Sequence, residues 1–269
     1  MAAQFSGKLG LAARHLATGE ELSLHERLRF PTASMIKIGI LLELFRQCER
    51  GSLSLEDKLT LHDADKVAGS GILIDLMPGL DLTLQDTAVL MMALSDNTAT
   101  NMLIELLGRE EINEALRSAG MRHTELRHKI DFDLLAKSND NFAVGTPRDF
   151  VELLTRLYRQ ELLSPESTER MLAIMRIQKY MDRLRRYLPF DPYAEELGRE
   201  QEVWVASKTG SLPGVCCEAG LIGTPGGVYA LAVMTKDGRD PSVHAENEGV
   251  MVIARISRMI YDYWVTPSP

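Results

Sequence analysis

The chain has 269 residues, 45% of them hydrophobic and 25% charged, and a net charge of −8. That is an ordinary globular balance, and the length can bury a full core without metals or disulfides. The longest basic run is "RLRR" at 183–186, so the concentrated positive face that a nucleic-acid partner needs is missing.

The N-terminal "MAAQFSGKLGLAARHL" has no sustained apolar run, so no signal peptide is expected. The chain then reads as cytoplasmic, or as the mature part of an exported protein. No stretch reaches the roughly 18 uninterrupted apolar residues of a spanning helix, and no membrane partner is expected. "KLGLAARHLATGEELSLHERLRF" alternates around a turn at "ATGEE", which predicts a hairpin. From Thr32 the period becomes helical. Residues 34–49 are apolar on nearly all sides and predict a central buried helix. "SLEDKLTL" and "LTLQDTAVLMMALS" read as helices too, the second with Thr83 as N-cap and Asp86 three residues on. "NTATNMLIELLG" and "REEINEALRSAG" close at Gly108 and Gly120. Residues 121–146 are polar and irregular, and predict a large surface loop of functional interest. Thr146–Pro147 and Ser164–Pro165 open two further helices.

Near Val203 the alternation returns. "VWVASKTGSL", "CEAGLIGTP" and "GVYALAVMTKD" predict strands, with a hairpin turn at "TPGG". "HAENEGVMVIARISRMIYDYW" predicts a closing amphipathic helix. The expected fold is α+β, an antiparallel sheet flanked by helices plus an all-helical subdomain. Residues 1–33 and 200–269 would form the α/β subdomain and 34–199 the helical one, with the active site at their junction.

Three short clusters carry candidate chemistry. "SMIK" puts Ser34 and Lys37 three residues apart, on one helix face. "SDN" is Ser95, Asp96 and Asn97, just after an apolar helix. "KTG" is Lys208, Thr209 and Gly210, inside a strand. Each alone fits a structural role: a capping serine with a snorkelling lysine, a helix cap, a strand end. Together they occur in the order of the serine β-lactamase and penicillin-binding-protein motif set. From about Lys8 to the last helix, the chain resembles the class A β-lactamase-like serine hydrolases. "FPTASMIK", "AGSGILIDLMPGLDLTLQDTAVLMMALSDNTATNMLIELLG" and "SKTGSLPG" carry the likeness.

The chemistry accounts for the residue types. A serine hydroxyl is a poor nucleophile at neutral pH and needs a base within hydrogen-bond reach. Lys37 can serve if burial and nearby positive charge disfavour its charged form. The resemblance implies that Lys208 recognises a substrate carboxylate beside Thr209 and Ser211. It also implies that Ser95 relays a proton to the leaving nitrogen and that Asn97 bonds the substrate amide. The oxyanion hole would use the N–H of Ser34 and of a strand residue after KTG; counting gives Leu212, with Ser211 beside it. Gly210 would let the substrate lie close to the strand. Asp96 is read as structural. No metal or cofactor is implied, because no His/Cys ligand cluster exists.

The chain departs from the family pattern at three places. Class A enzymes carry a loop glutamate that activates the deacylating water. In register here stands Ile130, with Asp131 next and Asp133 two further. Asp131 is a candidate base, or a capping carboxylate. The helix that usually precedes the first strand is not evident before Lys8, so a second copy of the chain could cover the last helix, giving a homodimer. Cys216 and Cys217 follow KTGSLPG and read as small core residues on adjacent strand faces, or one of them as a reactive thiol at the site edge; neither they nor Cys48 suggest a disulfide framework or zinc spacing. The leading expectation is a β-lactam hydrolase working through a Ser34 acyl-enzyme. The alternatives are a D-alanyl peptidase, amidase or esterase with the same machinery, or a β-lactam-binding sensor.

Overall fold

The computed structural model describes residues 5–194 and 197–265; the leading residues 1–4, part of the stretch read for a signal peptide, lie outside it. The chain opens with a hairpin of β1 (Lys8–His15) and β2 (Glu21–Leu24). β3 (Phe30–Pro31) leads into one 3-10 turn, Ala33–Ile36, and then α1 (Lys37–Glu49). β4 (Lys58–Thr60) and β5 (Asp81–Thr83) form a small ladder before α2 (Leu84–Ala93), α3 (Asn97–Leu107) and α4 (Arg109–Ser118). The large loop carries β6 (Glu125–Leu126), α5 (Phe132–Leu135) and β7 (Ala143–Gly145). α6 (Pro147–Tyr158) and α7 (Pro165–Arg176) follow. Then come β8 (Trp204–Leu212), β9 (Val215–Thr224), β10 (Gly227–Lys236) and α8 (Glu248–Val265).

The main sheet is antiparallel, in the order β2-β1-β10-β9-β8. β1 pairs with β10 from Lys8↔Lys236 to His15↔Tyr229, which joins the two ends of the chain. Strand periodicity decides what each face meets. Ala230, Ala232 and Met234 of β10 pack on the helical side with Ile38, Leu41 and Phe150. Leu231 and Val233 point the other way, onto Val252, Ile253 and Ile256 of α8. β8 is left as an open edge, and its KTG segment lies along that edge.

Local signals set most helix starts as expected. Thr83 accepts the Asp86 N–H at 3.0 Å, Thr146 the Asp149 N–H at 3.2 Å and Ser164 the Ser167 N–H at 3.2 Å. Each cap satisfies a backbone donor that the helix leaves free. "SLEDKLTL" is a correction, because it forms β4 rather than a helix. Its leucines at 59 and 61 alternate with Lys58 and Thr60, and Leu61 is fully buried. That is a strand period in a segment too short for an independent helix. The large loop is also more ordered than expected. β7 lies between β3 and β6, and Thr32 N–H donates to Ala143 O at 3.0 Å, so the loop is anchored to the chain just before Ser34.

Candidate active site

Ser34 sits half-buried in the turn that enters α1. The residue before it, Ala33, has φ 45°, a left-handed conformation that costs a residue with a side chain about 1–3 kcal/mol and concentrates at functional sites. Lys37 is the first residue of α1 and is fully buried among Ile36, Ile38 and Ile40. Its polar partners all come from the loop after α2: Nζ lies 2.8 Å from Ser95 O, 3.1 Å from Ser95 Oγ and 3.2 Å from Asn97 Oδ1. Burial, followed by the positive charge of Lys208, holds its pKa well below the usual lysine range, against a smaller opposing effect of Asp96. Nζ is the donor in all three contacts; on giving up a proton it can keep Ser95 O and Asn97 Oδ1 as acceptors and turn its lone pair to the Ser95 hydroxyl.

Ser95 is itself left-handed, with φ 55°. Asp96 has the structural role read from the sequence. Its Oδ1 caps α3 through Ala99 N–H at 2.9 Å, and its Oδ2 accepts Ile72 N–H at 2.7 Å and Leu73 N–H at 2.9 Å. Asn97 turns its Nδ2 to Ala68 O at 2.9 Å.

Lys208 is fully buried and donates to Thr209 O at 3.0 Å. Burial, then the nearby Arg183 cation, lowers its pKa to about 7, partly opposed by Glu218. Which N–H groups of β8 face the open edge follows from the hairpin. Leu212 pairs with Val215 across the Pro213–Gly214 turn, and Ser211 with Cys216. Cys216 spends both backbone groups on Thr235 Oγ1, at 3.0 and 2.9 Å, away from β8. Antiparallel pairs alternate in bonding direction, so Ser211, not Leu212, turns its N–H to the open edge. A Cβ on Gly210 would stand 2.7 Å from Thr32 O and 3.0 Å from Ser34 N, so the glycine gives room to the turn that carries Ser34.

The large loop behaves differently. Ile130, the residue expected in register with a glutamate, is buried, and Asn101 clamps both its N–H and its carbonyl, at 2.8 and 2.9 Å. Asp131 caps α5, its Oδ1 accepting Asp133 N–H at 2.9 Å and Leu134 N–H at 3.1 Å. Asp133 is exposed in the first turn of α5. Asn139 Nδ2 ties the loop to Pro213 O at 2.9 Å.

The sequence profile described as the Beta-lactamase enzyme family matches residues 1–264. The chain belongs to this family. Its fold agrees with solved members. A β-lactamase from Sphaerobacter thermophilus is 32% identical with a TM-score of 0.87, covering 100% of this chain and 96% of that one. PBP-A is 28% identical with a TM-score of 0.83, covering 98% and 92%. Beta-lactamase CARB-4 from Pseudomonas aeruginosa is 28% identical over 171 residues, which are 63% of this chain and 59% of that protein. This chain thus spans about three-fifths of the length of that curated relative.

In this β-lactamase-family chain two site residues went unread in the sequence. Arg183 belongs to "RLRR", a run that looks solvated. It is buried, and donates to Gly210 O at 2.7 Å and Cys217 O at 2.8 Å. Gln178 is buried too, with Nε2 3.4 Å from Thr209 Oγ1. Only the alternation of Arg183 and Arg185 around the apolar Leu184 hints that the run is half inside. The two neighbouring cysteines lie as expected, Cys217 in the core toward the helices and Cys216 partly buried toward α8. A cavity of about 930 Å³ opens beside Ser211 and Arg183 and runs past the Pro213–Gly214 turn toward Asn247. Ser34 and Lys37 do not line it. Among the described residues no helix is long and apolar enough to cross a membrane.

Proposed function

We propose that the chain is a serine hydrolase that opens β-lactams through an acyl-enzyme on Ser34. The observation that carries this reading is the buried Lys37 amine, held at 2.8–3.2 Å by three groups of the Ser95–Asn97 loop. Burial and the nearby Lys208 charge lower its pKa, which shifts the amine toward the neutral form that can take a proton.

Ser34 Oγ attacks the lactam carbonyl carbon while its proton passes to Lys37 Nζ. The carbonyl oxygen takes up the π-electron pair and accepts N–H bonds from Ser34 and Ser211, an oxyanion hole fixed in place before reaction. The tetrahedral carbon then expels the ring nitrogen. The C–N bond breaks, the nitrogen receives a proton through Ser95 Oγ, and Lys37 returns its proton to Ser95. Lys208 and Arg183 supply the positive field that attracts a substrate carboxylate, and Asn97 Nδ2, which gives one N–H to Ala68 O, has a second N–H to offer the substrate amide. Water finally cleaves the ester and restores Ser34.

Ile130 favours a second reading, in which the same machinery acts on a D-alanyl peptide, amide or ester and leaves β-lactams bound. PBP-A, one of the structural relatives, also has a variant solved as an acyl-enzyme complex with penicillin G. A sensor that stays acylated would look the same. Rapid mixing with nitrocefin separates these readings. Continuous turnover supports the β-lactam hydrolase. A burst of one equivalent that then stops favours the second. The absence of both a burst and any turnover would contradict the acyl-enzyme mechanism.

A further inference from the structure

Beneath Ser34, β8 and β9 press on the nucleophile turn. Gly210 and Cys217 are cross-strand partners there. A Cβ on Gly210 would meet Cys217 Sγ at 2.6 Å as well as the Thr32 carbonyl at 2.7 Å. The glycine therefore opens a passage through which the thiol reaches the turn. Cys217 Sγ lies 3.0 Å from Thr32 O and 3.5 Å from Gly210 O. Burial pushes its pKa up to about 12, so the sulfur carries its proton and can donate.

The Thr32 carbonyl has a second donor. Met35 N–H reaches it at 3.0 Å. Two bonds on one oxygen fix the peptide plane just before the left-handed Ala33, and Ser34 N–H follows directly from that plane. From the other side, Arg183 Nη1 bridges the Gly210 and Cys217 carbonyls at 2.7 and 2.8 Å and stiffens the strand pair that carries Ser211. The junction thus connects the two backbone donors assigned to the oxyanion.

We propose that Cys217 is a positioning residue for the oxyanion hole: its thiol ties β9 to the Thr32 carbonyl and so fixes the separation of the Ser34 and Ser211 N–H groups. The catalytic part of this rests on the acyl-enzyme reading above. A sulfhydryl is a weak donor, but an oxyanion hole depends on placement, and a displacement of about 1 Å can cost on the order of a hundredfold in rate.

The test compares Cys217→Ala, Cys217→Ser and Cys217→Val, with Cys216→Ala as the control on the other face. Two quantities are read: the acylation rate constant with benzylpenicillin, separated from its dissociation constant, and hydrogen exchange at the Met35 amide. Positioning predicts that the Ala and Val variants acylate about tenfold to a hundredfold more slowly with little change in dissociation constant. Their Met35 amide should exchange faster, while the Leu103 amide in α3 stays protected. Cys217→Ser restores a donor and should recover most of the rate. A residue that only fills the core predicts the reverse order, with Val tolerated and a buried Ser hydroxyl harmful. The proposal is overturned if Cys217→Val acylates and exchanges like the wild type. A wild type that forms no adduct would sink the acyl-enzyme reading alone, because Met35 exchange still decides whether the thiol anchors the turn.

Discussion

The two sides of the site are built by opposite rules. On the Ser34 side, polar groups are driven inward and given one another as partners. Lys37 and Lys208 are both fully buried amines with lowered pKa values, and left-handed backbone is kept at Ala33 and Ser95. On the loop side, polar groups are spent on ordinary architecture. Asp131 caps a helix, Asn101 clamps the backbone of Ile130, and the Ile130 side chain is buried. Burying an amine costs stability that packing must offset, whereas a capped loop costs nothing of the kind. Under the proposed acyl-enzyme reading, the Ser34 side holds the groups that would serve acylation, while the loop carboxylate Asp131 is engaged in capping a helix.

The largest test of that contrast is at Lys37. Lys37→Ala should lower the acylation rate constant by about 10²–10⁴, the usual worth of a positioned base, measured by stopped-flow with a chromogenic β-lactam. An unchanged rate would show that the buried amine is not the base.

The next test adds to the loop what it lacks. Ile130→Glu should shorten the lifetime of the benzylpenicillin adduct by about tenfold or more, followed by intact mass against time. No change would mean that loop shape, not the missing carboxylate, limits release.

The pH dependence sharpens the Ser34 side. The Lys208 pKa is lowered to about 7, so its cation is present below that value and is lost as pH rises through it. The dissociation constant of a carboxylate-bearing β-lactam should rise above pH 7 by up to about tenfold per unit. A methyl ester of the same compound should bind more weakly and show no such rise.

The smallest effect concerns Asp131. Asp131→Ala should cost about 1 kcal/mol of stability, the worth of a helix cap, read by denaturant melts. Asp131→Asn keeps the acceptor oxygen and should leave both stability and adduct lifetime near the wild type. A stalled adduct in the Asn variant would instead make Asp131 the base.

The grouping of polar residues on the Ser34 side is legible in the sequence because it is written in contiguous words. SMIK, SDN and KTG each sit on one local element, and the fold brings together the ends of those elements. What bonds to backbone is not legible. The backbone partners of Arg183 are the carbonyls of Gly210 and Cys217, 27 and 34 residues away, and a carbonyl has no letter of its own. The preference for Ser211 over Leu212 depends on where the β8–β9 turn closes, which sets the alternation of N–H direction. β4 was hidden because a short leucine-rich segment fits either period until its partner strand is known.

The account stands most directly on whether Ser34 becomes acylated. Wild-type chain and Ser34→Ala would be incubated with benzylpenicillin and followed by intact mass, with the modified peptide then mapped. The predicted result is one covalent equivalent on the wild type, located at Ser34, and none on the variant. An adduct of the same stoichiometry on Ser34→Ala would contradict it.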